Sequence, residues 1–423
     1  DEGSTEFAFL DAFKSSRPWI SGSATVWNDG RALDLDADGW VRSLQPDQVA
    51  RTVMFGAAGM NYPAGSYEVL FDGEGTIGYC GGVTSVERSP GRHLLQVDPS
   101  RGGILLCITR TDPANPVRNL RVRMPGDFAA DEIFHPTFLD RIRTYGAIRF
   151  MDWTAINGLG YPASGNPQRH WEDRPRATEA RWSGGRGVPV EIMVGLANRV
   201  GIDPWFCMPH RADDDYVRRF AEQVRDTLDP GLRVYVEYSN EVWNPAYAQA
   251  RHARTEGLAL GLAADPFLAQ MRFHARRSRE VFAIWEEVIP AHRLVRVLAS
   301  SAADPALSET LLQSGDTAAH VDALAIAPFL GIAAADQERV RELGAAALLE
   351  ELETRVLPGV MDLARGHAAV AETYGKGLLA YAGGQNLVAQ GSFATDATLN
   401  ALYDAANRDP GMGALYSSWL AEW

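Results

Sequence analysis

The chain has no Cys-x-x-Cys pair and no cysteine–histidine spacing that would hold zinc, so no metal is expected. Its three cysteines are Cys80, Cys107 and Cys207. Cys80 and Cys107 fall in one strand-rich stretch, where pairing stays open. No apolar run is long enough for a membrane span. The longest, "ALAIAPFLGIAAA" (323–335), is broken by Pro328 and falls short of the ~20 residues a span needs, so no membrane partner is expected. No GxGxxG or P-loop pattern follows any strand-like run, which weakens nucleotide binding and leaves no cofactor expected. Excess positive charge is missing too. The net charge is −14, the wrong sign for a phosphate backbone, so nucleic acid is not an expected partner. There is also no starting Met. The opening "DEGSTEFAF" fits a mature form after signal removal, or a trimmed end, and the expected location is secreted or periplasmic.

What is present is a chain of 423 residues, 46% hydrophobic and 22% charged, able to bury a large core. Its 11 tryptophans are many. Exposed indoles serve as flat platforms for sugar rings, although most tryptophans in any chain are core.

From about residue 126 strand-like and helix-like runs alternate. "AIRFMDW" (147–153), "DPWFCMPH" (203–210), "RVYVEYSNE" (233–241), "RLVRVLASS" (293–301), "VDALAIAPF" (321–329) and "GLLAYAGG" (377–384) read as strands. Helical runs at 189–201, 213–228, 266–289, 305–313 and 336–366 separate them. Near-continuous apolar strands between helices predict an α/β protein with a parallel sheet. Six in one series favour a (β/α)8 TIM barrel over a doubly wound sheet. Residues 395–410 read as a helix. Residues 413–423 are either a last strand or, slightly favoured, a helix.

Residues 31–125 differ. Short runs such as "SYEVLFD", "HLLQVDP" and "GILLCITRT" sit between Gly, Pro, Asp and Ser, with a turn about every 8–12 residues. This predicts an inserted antiparallel, sandwich-like unit over 31–125, with the barrel formed by 1–30 and 126–423. The insertion's expected role is to pack on the barrel and shape its cleft; carbohydrate binding is the alternative. Long loops are expected after the second and fourth barrel strands, the former over 157–187.

Catalytic groups of parallel barrels collect where strands finish. The polar groups at those ends are Asp152, Trp153 and Asn157, then His210 and Arg211, then Asn240, Glu241, Trp243 and Asn244, then Ser300 and Ser301, and last Tyr381 and Gln385. "SNEVWN", with Asn-Glu closing the fourth barrel strand, resembles the acid/base motif of clan A retaining glycoside hydrolases. "RFMDW" resembles the clan's second strand with its low-lying arginine, here Arg149. The likeness covers 126–423 and the N-terminal "FLDAFKSSRPW". It also extends to a bacterial group whose members carry the label cellulose-binding or glycoside hydrolase.

The resemblance implies a (β/α)8 fold, a carbohydrate substrate, Glu241 as general acid/base and Asn240 on the sugar 2-hydroxyl. It also implies a second Glu as nucleophile at the end of the seventh strand. Related sequences look like "AYEGGQ" there; this chain reads "AYAGGQ". Ala382 stands at the nucleophile position, and a methyl group cannot attack an anomeric carbon. We read it as an engineered Glu→Ala substitution in an otherwise intact motif; a natural pseudoenzyme is the alternative. Glu372, the nearest other Glu, precedes the strand and would sit at the wrong face. An inverting pair of Glu241 with Asp152 is the remaining rival.

Other candidates for sugar contact are Trp243, Tyr381 and Gln385, together with Arg149, Asp152, Trp153, Trp171 and His210. Each has a plainer alternative: an arginine partner for Asp152, an orienting or structural role for His210, and core packing for the indoles. "RADDD" (211–215) is expected to be a helix cap and first turn.

Overall fold

The computed structural model describes residues 7–56, 61–158 and 164–423. Thus residues 1–6 of the expected segment 1–30, and residues 159–163 of the loop over 157–187, lie outside the described residues. The chain divides into two compact units, one running to Arg233 and one from Val234 to Trp423.

The first unit is built around two antiparallel sheets. Their strands are β1 (Ile20–Gly22), β2 (Val49–Met54), β3 (Gly65–Asp72), β4 (Gly75–Gly81), β5 (Val83–Ser89), β6 (Arg92–Val97), β7 (Ile104–Thr111) and β8 (Arg118–Arg123). One sheet has the order β1-β2-β7-β4 and the other β8-β3-β6-β5. Alternating inward residues make the core between them. Ala50, Thr52 and Met54 are buried on β2; Ile104, Leu106 and Ile108 are buried on β7. Phe13 stacks on Trp40 with 5.5 Å between centroids and seals this core. Asp11 accepts amide hydrogens from Phe13 and Val122, so the first described segment is tied to β8. Lys14 donates to the Glu179 carbonyl at 2.7 Å and lies 4.6 Å from the Trp182 ring. Both residues knit the unit together. Cys80 and Cys107 remain thiols.

The same unit carries two parallel strands, β9 (Ala147–Arg149) and β10 (Asp203–Met208), paired from Ala147–Asp203 to Arg149–Trp205. The run "AIRFMDW" reads as extended to 153, but the strand stops at Arg149. The Phe150 carbonyl turns back to accept from Thr154, which starts a tight turn. Helices α1 (Val190–Val200) and α2 (Asp214–Thr227) follow β9 and β10. Asp213 caps α2 through the Tyr216 amide, in keeping with "RADDD".

The second unit holds four parallel strands in the order β11 (Val234–Tyr238), β12 (Leu294–Ala299), β13 (Ala323–Ile326) and β14 (Gly377–Ala380). Together the units supply six parallel strands of a mixed α/β fold. Helices between and after these strands include α3 (Ala248–Ala259), α4 (Pro266–Val288), α5 (Pro305–Leu312), α6 (Leu357–Thr373), α7 (Ala397–Arg408) and α8 (Pro410–Glu422). Residues 413–423 are therefore helical almost to their end. Residues 248–259 correct the expectation of a long loop after the strand over 233–241. That segment is helical, and its weak amphipathic pattern, broken by Gly257, hid it.

β11 does not alternate inside and outside. Val234, Val236, Glu237 and Tyr238 are all buried, as in a strand covered on both faces. Its helices stay close. A Cβ on Gly257 of α3 would strike the Ala269 carbonyl of α4, so only glycine lets the two helices approach this closely.

Candidate active site

β11 ends in an unusual backbone. Ser239 has φ of 62° and Glu241 has φ of 41°, both left-handed and neither a glycine. Such conformations cost energy and collect at functional sites. The turn closes with the Asn244 amide donating to the Glu241 carbonyl at 2.9 Å. It presents the Glu241 side chain, half-buried, to two donors. Asn244 Nδ2 donates to Oε2 at 2.8 Å, and Tyr381 Oη donates to Oε1 at 3.1 Å. The end of β11 and the end of β14 thus meet at this carboxylate.

Trp243 is half-buried beside it. Its ring lies 6.2 Å from that of Tyr381 and stands edge-on to His274 at 6.4 Å. His274 is buried on α4 and donates through Nε2 to the Ala299 carbonyl at 3.2 Å. Burial pushes its imidazole down to about 4, so it is neutral at ordinary pH. Among the described residues the hydroxyls of Ser239 and Ser300 are fully buried and have no hydrogen-bond partner.

Ala382 follows Tyr381, whose amide continues the β14 ladder by donating to the Ile326 carbonyl at 3.0 Å. Two glycines follow, and space dictates both. A Cβ on Gly383 would come 2.7 Å from the Trp419 ring. One on Gly384, which has φ of 83°, would strike Tyr416. The Tyr416 hydroxyl accepts from the Gln385 amide at 3.2 Å, and Trp419 Nε1 donates to the Pro328 carbonyl at 3.0 Å. Helix α8 therefore fixes the segment carrying position 382. The Gln385 side chain turns back to accept from the Leu387 amide.

The first unit holds the remaining candidates. The Arg149 guanidinium lies 5.5 Å from the Trp205 ring centroid. Asp152 is exposed in the turn after β9. Trp153 packs among Phe9, Phe138 and Phe150 at 5.2, 6.3 and 5.5 Å, so neighbouring rings occupy much of its surface. Trp171 begins a short 3-10 turn with the Arg174 guanidinium 4.2 Å from its ring. His210 is buried just after β10. Among the described residues no three His, Cys, Asp or Glu side chains cluster to hold a metal, and no helix is long and apolar enough to cross a membrane.

Sequence reasoning singled out Asn240, Glu241, Trp243 and Tyr381. It missed Gln249, Gln270 and His274, which support them from behind. A polar residue on a helix reads as solvent-facing, and only the fold shows these three inside.

No family model matches the chain, and no curated protein matches it. Among solved structures it shows a distant similarity to a glycoside hydrolase, a fungal β-1,4-galactanase. The identity is 11% and the TM-score 0.26, over 52% of this chain and 77% of that one.

Proposed function

We propose that the chain is the framework of a retaining glycoside hydrolase acting on a β-linked oligo- or polysaccharide, with its nucleophile replaced by Ala382. The observation that carries this is the Glu241 carboxylate. It sits at the end of a parallel strand, held by Asn244 and by Tyr381, the neighbour of Ala382. In this reading a full (β/α)8 barrel formed by 1–30 and 126–423 carries the site, the β-rich unit over 31–125 shapes one side, and the protein works secreted or in a periplasm.

A retaining enzyme needs two carboxylates about 5–5.5 Å apart. A glutamate at 382 would attack the anomeric carbon while Glu241 gives its proton to the leaving oxygen. Glu241 would then take a proton from the water that releases the sugar. Asn240 positions the 2-hydroxyl, and Trp243 lies under the ring. Tyr381 and Gln385, with Arg149, Asp152, Trp153, Trp171 and His210, are the further contacts assigned to sugar. Lacking the attacking oxygen, the present chain is inactive or nearly so.

Ala382→Glu should hydrolyse at least one glycan of a β-linked panel. The chain as it stands should convert an activated β-glycoside with azide into the glycosyl azide of inverted configuration, because azide takes the place of the missing carboxylate. The alanine itself also favours a second reading, a carbohydrate-binding pseudoenzyme. That reading predicts binding without turnover in both experiments.

A further inference from the structure

Two glutamines stand where helices normally place leucine or alanine. Gln249 on α3 and Gln270 on α4 are both fully buried. A buried amide is costly unless bonded. Gln249 Nε2 donates to the Asn240 carbonyl at 2.8 Å, and Gln270 Nε2 donates to the Val242 carbonyl at 2.6 Å. These are the carbonyls on either side of Glu241. Arg254 Nε donates to Gln270 Oε1 at 3.1 Å. A guanidinium can only donate, so the Gln270 oxygen must face Arg254 and its nitrogen must face Val242. One turn further along α4, His274 holds the Ala299 carbonyl and backs Trp243.

We infer that Gln249 and Gln270, the latter oriented by Arg254, are positioning residues that clamp the backbone on both sides of Glu241 and so aim its carboxylate. The inference rests on the reading of Glu241 as the acid/base. The need for a clamp lies in the backbone. Left-handed residues at 239 and 241 turn the chain out of the strand pattern. The carbonyls of 240 and 242 then take their bonds from α3 and α4. Gly257 is what keeps those helices close enough to reach.

The test uses the full chain carrying Ala382→Glu, with Gln270→Glu, Gln270→Met, Gln249→Met and Arg254→Met added singly. Gln270→Glu keeps the shape and the partner for Arg254 but removes the donor to Val242. Gln48→Met is the control. Gln48 is a buried glutamine of the first unit that donates to the Ala32 carbonyl at 3.0 Å. The expected result is a fall in kcat of about 10- to 100-fold for the Gln249 and Gln270 variants, with KM held within about 2-fold. Arg254→Met should fall less, and the control should lose stability without losing kcat.

A second readout needs no turnover. In the chain as it stands, the Glu241 side-chain carbon-13 signal, assigned with Glu241→Gln, should move in Gln270→Glu and Gln249→Met and stay in Gln48→Met. Signals and kcat that respond no more than the control would overturn the clamp. If Ala382→Glu cleaves nothing while the Glu241 signal moves, the hydrolase reading falls and the clamp stands.

Discussion

Replacing Ser239 with glycine should make the protein more stable, although the residue lies at the heart of the candidate site. Ser239 holds φ of 62°, is fully buried, and its hydroxyl has no partner among the described residues. The left-handed backbone costs an L-residue about 1–2 kcal/mol. A buried hydroxyl without a partner costs about 1–3 kcal/mol. Glycine removes both. Against this stand about 0.5–1 kcal/mol of extra unfolded-chain entropy and about 1 kcal/mol of lost packing. The balance is a gain of about 1–2 kcal/mol. For a cooperative unit of 150–250 residues each kcal/mol moves Tm by about 2–4 °C, so calorimetry should show the transition of the 234–423 unit rising by several degrees. Ser239→Ala separates the causes, since it removes the hydroxyl but keeps a Cβ in the left-handed region. It should lie about 1 kcal/mol below the glycine variant. A glycine variant that melts below the parent, or an alanine variant that equals it, would refute the strain. In the Ala382→Glu background the glycine variant should also lose kcat, because the strain it relieves helps set the direction of Glu241.

Three further outcomes follow from the same site. Tyr381→Phe in the Ala382→Glu background should lower kcat by up to about 10-fold, since a hydrogen bond is worth about 0.5–1.5 kcal/mol; unchanged steady-state kinetics would remove Tyr381 from the machinery. Burial holds the His274 imidazole at about 4 against an ordinary 6.5, so on acidification the unfolded chain takes a proton that the folded one refuses. This contribution is fully present above about pH 6.5 and shrinks as pH falls toward 4, by up to about 3 kcal/mol; urea unfolding across pH 4–7 should show His274→Met with a flatter acid limb than the parent. Gly257→Ala should cost about 1–3 kcal/mol, because its methyl meets the Ala269 carbonyl, and urea unfolding will measure it.

The sequence made β11 and the parallel pattern legible because buried parallel strands are continuous apolar runs, and helices such as α2 announce themselves by caps. It made Asn240 and Glu241 legible because core packing never calls for an amide and a carboxylate side by side at the close of an apolar strand. The turn between them was not legible. Nothing in "SNE" says that serine and glutamate adopt a conformation glycine prefers; tertiary contacts impose it. Trp153 and Trp171 show the opposite difficulty. Indole composition suggests platforms, yet Phe138 stacks on one and Arg174 covers the other. A ring's neighbours come from distant segments, and no local pattern encodes them. Glu237 is fully buried because both faces of this parallel strand are covered, where an antiparallel strand would leave one of them wet.

The two glycines after Ala382 have a consequence for how position 382 can change over time or by design. The space that side chains there would need is taken by the rings of Trp419 and Tyr416. The strand end and the helix face form one mould, and neither half can be recast alone. A larger residue at 383 or 384 needs a smaller one on α8, and a smaller ring on α8 leaves the strand end without its wall. Whatever group occupies 382 therefore takes its aim from residues more than thirty positions further along the chain.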